Sequence, residues 1–500
     1  MIRMGAKRGP RVGIALAALL ALGACAGGGK LASVSSDERS AIEMRLMRDI
    51  SILASDEFEG RKPGTLGEEK TVAFITDEMQ KAGLVSGTND PGSAWRAPVK
   101  LVRSKPFTSR IEVQSGKRKV ELDADAAAAF TVRRRELVER APVLFVGKEA
   151  EEVAPEDITG RVLIMLGEPG VSPRRRATLF ESNPAAIITV VEDSAAISRV
   201  NRGYGRERTM LASEAEGSLT AFATQASMSD VLGEKAWNKL VKAAEDKDFT
   251  PRELDQTITV EATSERVEFT SYNVIGKLPG AVPNSGAVLL LGHWDHLGAA
   301  CGAEDAEDRI CNGAVDNASG IAVMLELTRR LKAMGPHDRD IYVLGTTAEE
   351  SGLLGARAFA EAPPVPLNTI IGAFNFDTVA IAQAGSPVGY IGEGQTPLDP
   401  MILDVMDKAG RDLGDSDYAA RFVRRQDGWA LLGEGVPAVM LSTAFGSEIT
   451  LSPYLSGNYH RAGDELDTIV LGGAIDDLLL HEEIVRRVAD TSLYSPPGDE

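Results

Sequence analysis

From Ser271 to about residue 489, short apolar runs of strand length alternate with amphipathic stretches of helix length. No other feature constrains the fold as much. Strands that alternate with helices must enter a sheet whose two faces the helices cover. The spacing predicts strands over 272–277, 287–291, 341–346, 372–376, 389–391 and 438–441. It predicts helices over 319–334, 353–362, 399–413 and 474–489. The expected fold class is therefore α/β, a mixed central sheet flanked by helices. Functional groups in such folds gather at strand ends.

Upstream the pattern differs. Residues 37–84 read as helical around a Gly/Pro loop at Gly60–Gly67; Val72, Ile75 and Met79 share one helix face, which Gly83 closes. Between residues 97 and 265 the runs are short and β-like: "RIEVQS", "APVLFVG", "RVLIMLG", "AAIITVVE", "QTITVEAT". This tract contains no His and no Cys. It reads as an inserted, non-catalytic, β-rich unit at 97–265, interrupting a catalytic unit at 37–96 and 266–492.

The first residues read as an export signal. Arg3, Lys7, Arg8 and Arg11 precede the apolar stretch "VGIALAALLALGA", which is too short to span a bilayer comfortably. Residues 1–24 are expected to be removed. The end of this segment, Leu22-Gly23-Ala24-Cys25, resembles a lipobox, which implies lipidation of Cys25. Residues 25–36 would then be a tether to the cell envelope, on the periplasmic side of the outer membrane. Cys301 and Cys311 are the other cysteines. In an oxidising compartment an isolated close pair reads as a disulfide. A net charge of −19 argues against nucleic acid as a partner and suits cation binding.

One set of residues recurs at the predicted strand ends. His293 ends "LLLGH", Asp316 lies in "NGAVDNASG", Glu349 and Glu350 end "DIYVLGTTAEE", and Asp377 ends "GAFNFD". His460 lies in the loop "SGNYHRAGDELD". Singly, each fits an ordinary role: a turn residue, a helix N-cap, an acid at a helix start. Together they are His and carboxylate donors at ends expected to converge, which is zinc chemistry. Five ligands, one of them bridging, would suit two metals about 3.5–4 Å apart.

"LASDEFEGRKPGTLGEEK", "GHWDHLG", "GAVDNASGIAVMLE", "TTAEESGLLGA", "FNFD" and "YHRAGDELD" occur in the order seen in the co-catalytic di-zinc exopeptidases, peptidase family M28, and the chain resembles that family over roughly residues 48–85 and 271–470. The tract 97–265 resembles a protease-associated insert. The resemblance implies two zinc ions per chain, with Asp316 bridging, Glu350 and His460 on one metal, and His293 and Asp377 on the other. Glu349 would be general base and then acid. Asp295 would accept the far N–H of His293, and the Asp316–Asn317 peptide would be cis. His296 reads as a structural or rim residue, and His337 and His481 as surface. Many relatives carry Arg-Ser-Asp-His-Tyr where this chain has Arg425-Gln426-Asp427-Gly428-Trp429, a departure that touches substrate contacts. The implied activity is a metallo-aminopeptidase acting on peptides. A carboxypeptidase of the same fold, or a receptor-like binding protein without activity, are the alternatives.

Overall fold

The structure is a computed structural model and describes residues 34–89, 94–148, 153–168, 172–215, 219–246, 248–302 and 305–496. The expected export signal, Cys25 and most of the expected tether lie outside the described residues. Among the described residues no helix is long and apolar enough to cross a membrane.

A mixed α/β architecture is observed. Ala287–His293 lies at the centre of one half of the sheet, parallel to Asp340–Thr346 on one side and to Ile370–Asn375 on the other. Ala438–Ser442 continues the parallel set beyond Ile370–Asn375, and Gly389–Ile391 closes that edge antiparallel. The central strand is buried along its whole length. Its alternate residues serve opposite faces, as a period of two demands. Val288 and Leu290 pack with Ile42, Leu46 and Ile50 of the helix Ser36–Leu53, and with Ile321 and Leu325 of the helix Gly320–Ala333. Leu289 and Leu291 pack the other way, with Tyr342, Leu344 and Phe359. Each fully buried aliphatic side chain there contributes roughly 1.5–3 kcal/mol. A strand buried on both faces reads as a continuous apolar run, and "AVLLLG" does.

Two long strands carry the chain into and out of the 97–265 tract. Arg96–Ser115 pairs antiparallel with the 27-residue strand Arg252–Leu278, with one register shift at Thr263/Ser264. The C-terminal part of Arg252–Leu278 pairs with Asp340–Thr346, and its N-terminal part with Arg135–Gly147. The sequence pattern suggested two short strands here. The polar stretch between them stays extended because its backbone groups bond to residues 100–106 of the partner strand. Such pairing leaves no mark on hydrophobic periodicity.

The tract has its own core, including Val143, Phe145, Ile164, Ile188, Trp237 and Ile258. Arg135–Gly147, Val162–Leu166, Ala186–Val191 and Thr220–Thr224 run parallel there. Helices such as Ser172–Glu181 and Ser194–Tyr204 accompany them, which the β-like runs did not announce. The helix expected over 399–413 stops at Ala409. Gly410 takes φ +65 and closes it in a left-handed cap, leaving its last turn no way to continue.

His481 is not on the surface as expected. It is buried on the inner side of the helix Leu471–Val488, against Phe376 at 4.7 Å, with Nδ1 donating to the Asp477 carbonyl at 2.7 Å. The segment "LLLHEEIV" places it four residues from Asp477, on the apolar stripe. Burial lowers its pKa to about 4.

Candidate metal centre

Every predicted site residue of the strand ends is brought to one place. Ligand atoms of His293, Asp316 and Asp377 all lie within 4.8 Å of one another. The His293 Nε2 is 3.2 Å from Asp316 Oδ1 and 3.5 Å from Asp377 Oδ1. Beside this group, His296, Asp316 and Glu350 form a second one within the same limit. His460 reaches it from the loop, with Nε2 2.8 Å from Glu350 Oε2 and 3.4 Å from Asp316 Oδ2. Asp316 is therefore common to both groups.

The backbone around Asp316 is closely packed. Asp316 sits in a tight turn between Gly313 and the helix Gly320–Ala333, and the Asp316–Asn317 peptide is cis. Gly313 has φ +58, and a Cβ there would lie 2.1 Å from the Asp316 carbonyl oxygen and 2.6 Å from the His296 ring. Asn317 ties three elements together. Its Nδ2 donates to the carbonyls of His293 and Phe376, and its Oδ1 accepts from the Gly320 N–H at 3.0 Å. Asp464, fully buried, accepts the N–H groups of Val315 and Asp316 at 2.9 and 3.0 Å and the Tyr454 hydroxyl at 2.9 Å.

Arg61 holds the same turn from the N-terminal segment. It is buried, and its guanidinium donates to four backbone carbonyls: Leu53, Trp294, Asn312 and Gly313. One side chain thus straps the loop after His293 to the loop before Asp316. Burial lowers its pKa to about 10, against the upward pull of Asp464, Asp316, Asp295 and Glu350.

Asp295 departs from its expected role. Its carboxylate Oδ1 is 3.8 Å from His293 Nδ1, and the nearer acceptor is the Asp295 backbone carbonyl at 3.1 Å. A carbonyl can only accept, so Nδ1 donates to it, and Nε2 faces Asp316 and Asp377. The reason is geometric. The chain turns sharply after His293, which brings the main chain of residue 295 under the ring. The carboxylate meanwhile accepts the Glu349 N–H at 3.0 Å, so Asp295 positions the Glu349 loop. Burial pushes the Asp295 carboxyl up to about 7, opposed by His293.

Glu349 is also pushed well above the usual carboxylate range, by burial and by the carboxylates of Asp427, Asp377 and Glu350, with His293 opposing. His293 is held well above the usual histidine range; burial works against this, and Glu349, Asp316 and Asp377 overcome it. Here His296 Nε2 and Asp295 Oδ2 are buried without a hydrogen-bond partner, and Glu350 Oε1 and His460 Nε2 meet only other members of the cluster. Orphaned imidazole nitrogens and carboxylate oxygens in one cluster are the donor set a zinc-type cation satisfies. These are candidate metal-binding residues, and they fit such an ion.

Sequence reasoning read His296 as a structural or rim residue. It is buried, with Nδ1 2.7 Å from Glu350 Oε1, because Gly313 leaves room for its ring. Asp464, Arg61, Asn317 and Asp427 were not singled out for the site. The Gly313 and Gly320 flanks were the available sign that the Asp316 turn is crowded. Asp427 is buried behind the centre, accepts from the Thr346 hydroxyl, and is raised to about 6 by burial, with His293 opposing. Cys301 and Cys311 are joined by a disulfide, and Cys311 pairs with Gly298 across the loop between His293 and Asp316.

Residues 273–477 match the model of peptidase family M28, and that span holds every residue of the two groups. Among curated proteins, the chain is 31% identical to the aminopeptidase YwaD of Bacillus subtilis (strain 168) over 118 residues, which is 23% of each chain. The match thus spans about a quarter of that relative's length. Among solved structures, an aminopeptidase from Aneurinibacillus sp. strain AM-1 superposes with a TM-score of 0.52 at 18% identity, covering 91% of this chain and 95% of that one. BSAP, a zinc aminopeptidase from Bacillus subtilis, gives a TM-score of 0.46 at 18% identity over 90% and 96%. The span that matches this family and the zinc-type donor set thus coincide.

Proposed function

We propose that the protein is an aminopeptidase that removes N-terminal residues from peptides with two zinc ions per chain. The observation that carries this reading is the sharing of Asp316 between two adjacent donor groups, with Glu349 next in sequence to Glu350 of the second. His293 and Asp377 would hold one ion, Glu350 and His460 the other, and Asp316 would bridge. When bound, the ions would supply Lewis acidity, polarising the scissile carbonyl and acidifying a water. Glu349 takes the proton from that water and delivers it to the leaving amine. Burial and the neighbouring carboxylates favour the protonated form of Glu349, as suits a group that takes up a proton. Asp295 holds the backbone of Glu349 in place, and the His293 tautomer is set by the Asp295 carbonyl.

Beside Asp377 a cleft is walled by Ile391, Phe422, Met440, Phe445 and Leu451. The cleft is narrow, about 30 Å³, and suits a small apolar side chain at the substrate N-terminus. Arg425 lines the same cleft, and this favours a second reading, a carboxypeptidase whose substrate carboxylate pairs with Arg425. Dipeptides blocked at either end separate the two. The aminopeptidase reading expects hydrolysis of C-terminally amidated dipeptides and none of N-acetylated ones, with zinc near two per chain by elemental analysis. The reverse pattern would establish the carboxypeptidase, and hydrolysis of neither would remove both.

The export signal at 1–24, lipidation at Cys25 and attachment to the envelope belong to the same reading, as does a protease-associated role for 97–265. They rest on the sequence. Radiolabelled palmitate incorporated into the expressed protein, and lost in Cys25→Ser, is the expected result; an unlabelled wild type removes the anchor.

A further inference from the structure

The 97–265 tract contains a buried cation without an anion. Arg176, on the helix Ser172–Glu181, is 8% exposed. Its guanidinium lies 5.1 Å from the centre of the Phe222 ring, and it donates to the Tyr204 hydroxyl at 2.7 Å and to Thr189 Oγ1 at 3.3 Å. Among the described residues no carboxylate pairs with it. The nearby Glu168 pairs with Lys148 instead, at 3.9 Å. Taking a cation out of water is costly unless an opposite charge meets it. Thr189 and Tyr204 are neutral, and together they use two of the five N–H donors a guanidinium carries.

Arg176 lines a cavity of about 400 Å³. That volume falls within the range of small-ligand sites, roughly 300–1,000 Å³. Its walls are mostly apolar, with Val191, Ala196, Val200 and Phe222 contributing, and Glu168, Glu192 and Arg199 are its other charged groups. The cavity stands at the carboxyl ends of the parallel strands Val162–Leu166 and Ala186–Val191. In open parallel sheets this is where ligands bind, because the backbone opens there between strand and helix.

We propose that this cavity is a second binding site, separate from the metal centre, for the C-terminal carboxylate of a peptide whose last side chain is apolar. The carboxylate supplies the anion Arg176 lacks, in a bidentate pair that the planar guanidinium favours. The apolar side chain fills the space lined by Val191, Val200 and Phe222. The choice of a peptide over another apolar carboxylate rests on the peptidase reading, since such an enzyme meets peptide termini continually. The carboxylate site itself rests on Arg176 alone.

The test is calorimetric titration of the full zinc-loaded chain with N-acetyl-alanyl-leucine, its C-terminal amide, and octanoate. The acetyl group removes the free amine an aminopeptidase needs, so the probe is not consumed. The acid is expected to bind with a Kd of about 1 mM or tighter. The amide should bind at least tenfold more weakly, as should the acid to Arg176→Gln. Arg176→Lys should retain part of the affinity, and hydrolysis of leucine p-nitroanilide should stay within twofold in both variants. Equal binding of acid and amide, or unchanged binding in Arg176→Gln, overturns the site. Octanoate binding tenfold tighter than the peptide overturns the peptide assignment. If Arg176→Gln does not fold, the acid-against-amide comparison on the unaltered chain decides. Failure of hydrolysis with binding intact would strike the peptidase reading and leave the carboxylate site standing.

Discussion

Replacing Arg61 by Lys tests whether the metal centre is held from outside the segment that carries its ligands. Arg61 reaches the carbonyls of Leu53, Trp294, Asn312 and Gly313 from one planar guanidinium. A lysine keeps the charge but concentrates three donors on one atom. It cannot serve carbonyls spread around the fork, so about two of the four would lose their partner. Each orphaned buried acceptor costs roughly 1–3 kcal/mol, which gives a loss of about 2–6 kcal/mol for Arg61→Lys. Trp294 follows His293, and Gly313 precedes Asp316 by three residues. The loosened strap therefore lies directly against two ligand loops. Zinc affinity should fall about 10–100-fold, the usual result when groups that orient metal ligands are removed. Urea denaturation of the metal-free chain measures the first quantity, and competition with a chromogenic chelator the second. A variant that unfolds at the wild-type urea concentration and binds zinc as tightly would show that the four contacts hold nothing. Loss of stability with unchanged zinc affinity would confine Arg61 to the fold.

Glu349→Gln should keep zinc occupancy and lose at least about 10²-fold in kcat with little change in KM. Glu350→Gln should instead lose zinc, and the opposite pattern would show the two roles to be exchanged. For His481, the folded-state pKa of about 4 lies below the ordinary value near 6.5. The unfolded chain therefore takes up the proton first, and stability present above pH 6.5 is lost as the pH falls toward 4. The loss by pH 5 is about 2 kcal/mol. Urea midpoints at pH 7 and pH 5 should show a smaller drop for His481→Gln, and an equal drop would falsify the assignment. The Cys301–Cys311 link closes ten residues of sequence. Replacing both by Ser should cost roughly 2–3 kcal/mol by loop closure, and an unchanged melting curve in oxidised protein would count against it.

The sequence by itself determined the α/β class and the identity of the strand-end donors. Both depend on local pattern. "LLLGH", "GAFNFD" and "DIYVLGTTAEE" each show an apolar run followed by a ligand type, and period and position are readable one segment at a time. Gly410 could likewise have been read as a helix stop, since a left-handed cap is a property of one residue. What surrounds the donors was decided only by tertiary structure. Arg61 is one charged residue in a Gly/Pro loop, and nothing near it in sequence says that four carbonyls, three of them from distant segments, will converge on its side chain. Asp295 offered two acceptors to His293. Which one the ring meets depends on how the chain turns after the strand, and the turn brought the main chain there, leaving the carboxylate for Glu349. His296 and Asp464 became part of the centre because Gly313 and the turn at Asp316 made room for them. Arg176 is one of three successive arginines in "SPRRRATLF". Its burial without a counter-charge arises only when the helix docks on the strands carrying Thr189 and Phe222. Desolvation and convergence are properties of the packed chain, since they depend on which segments meet, and no local pattern encodes that.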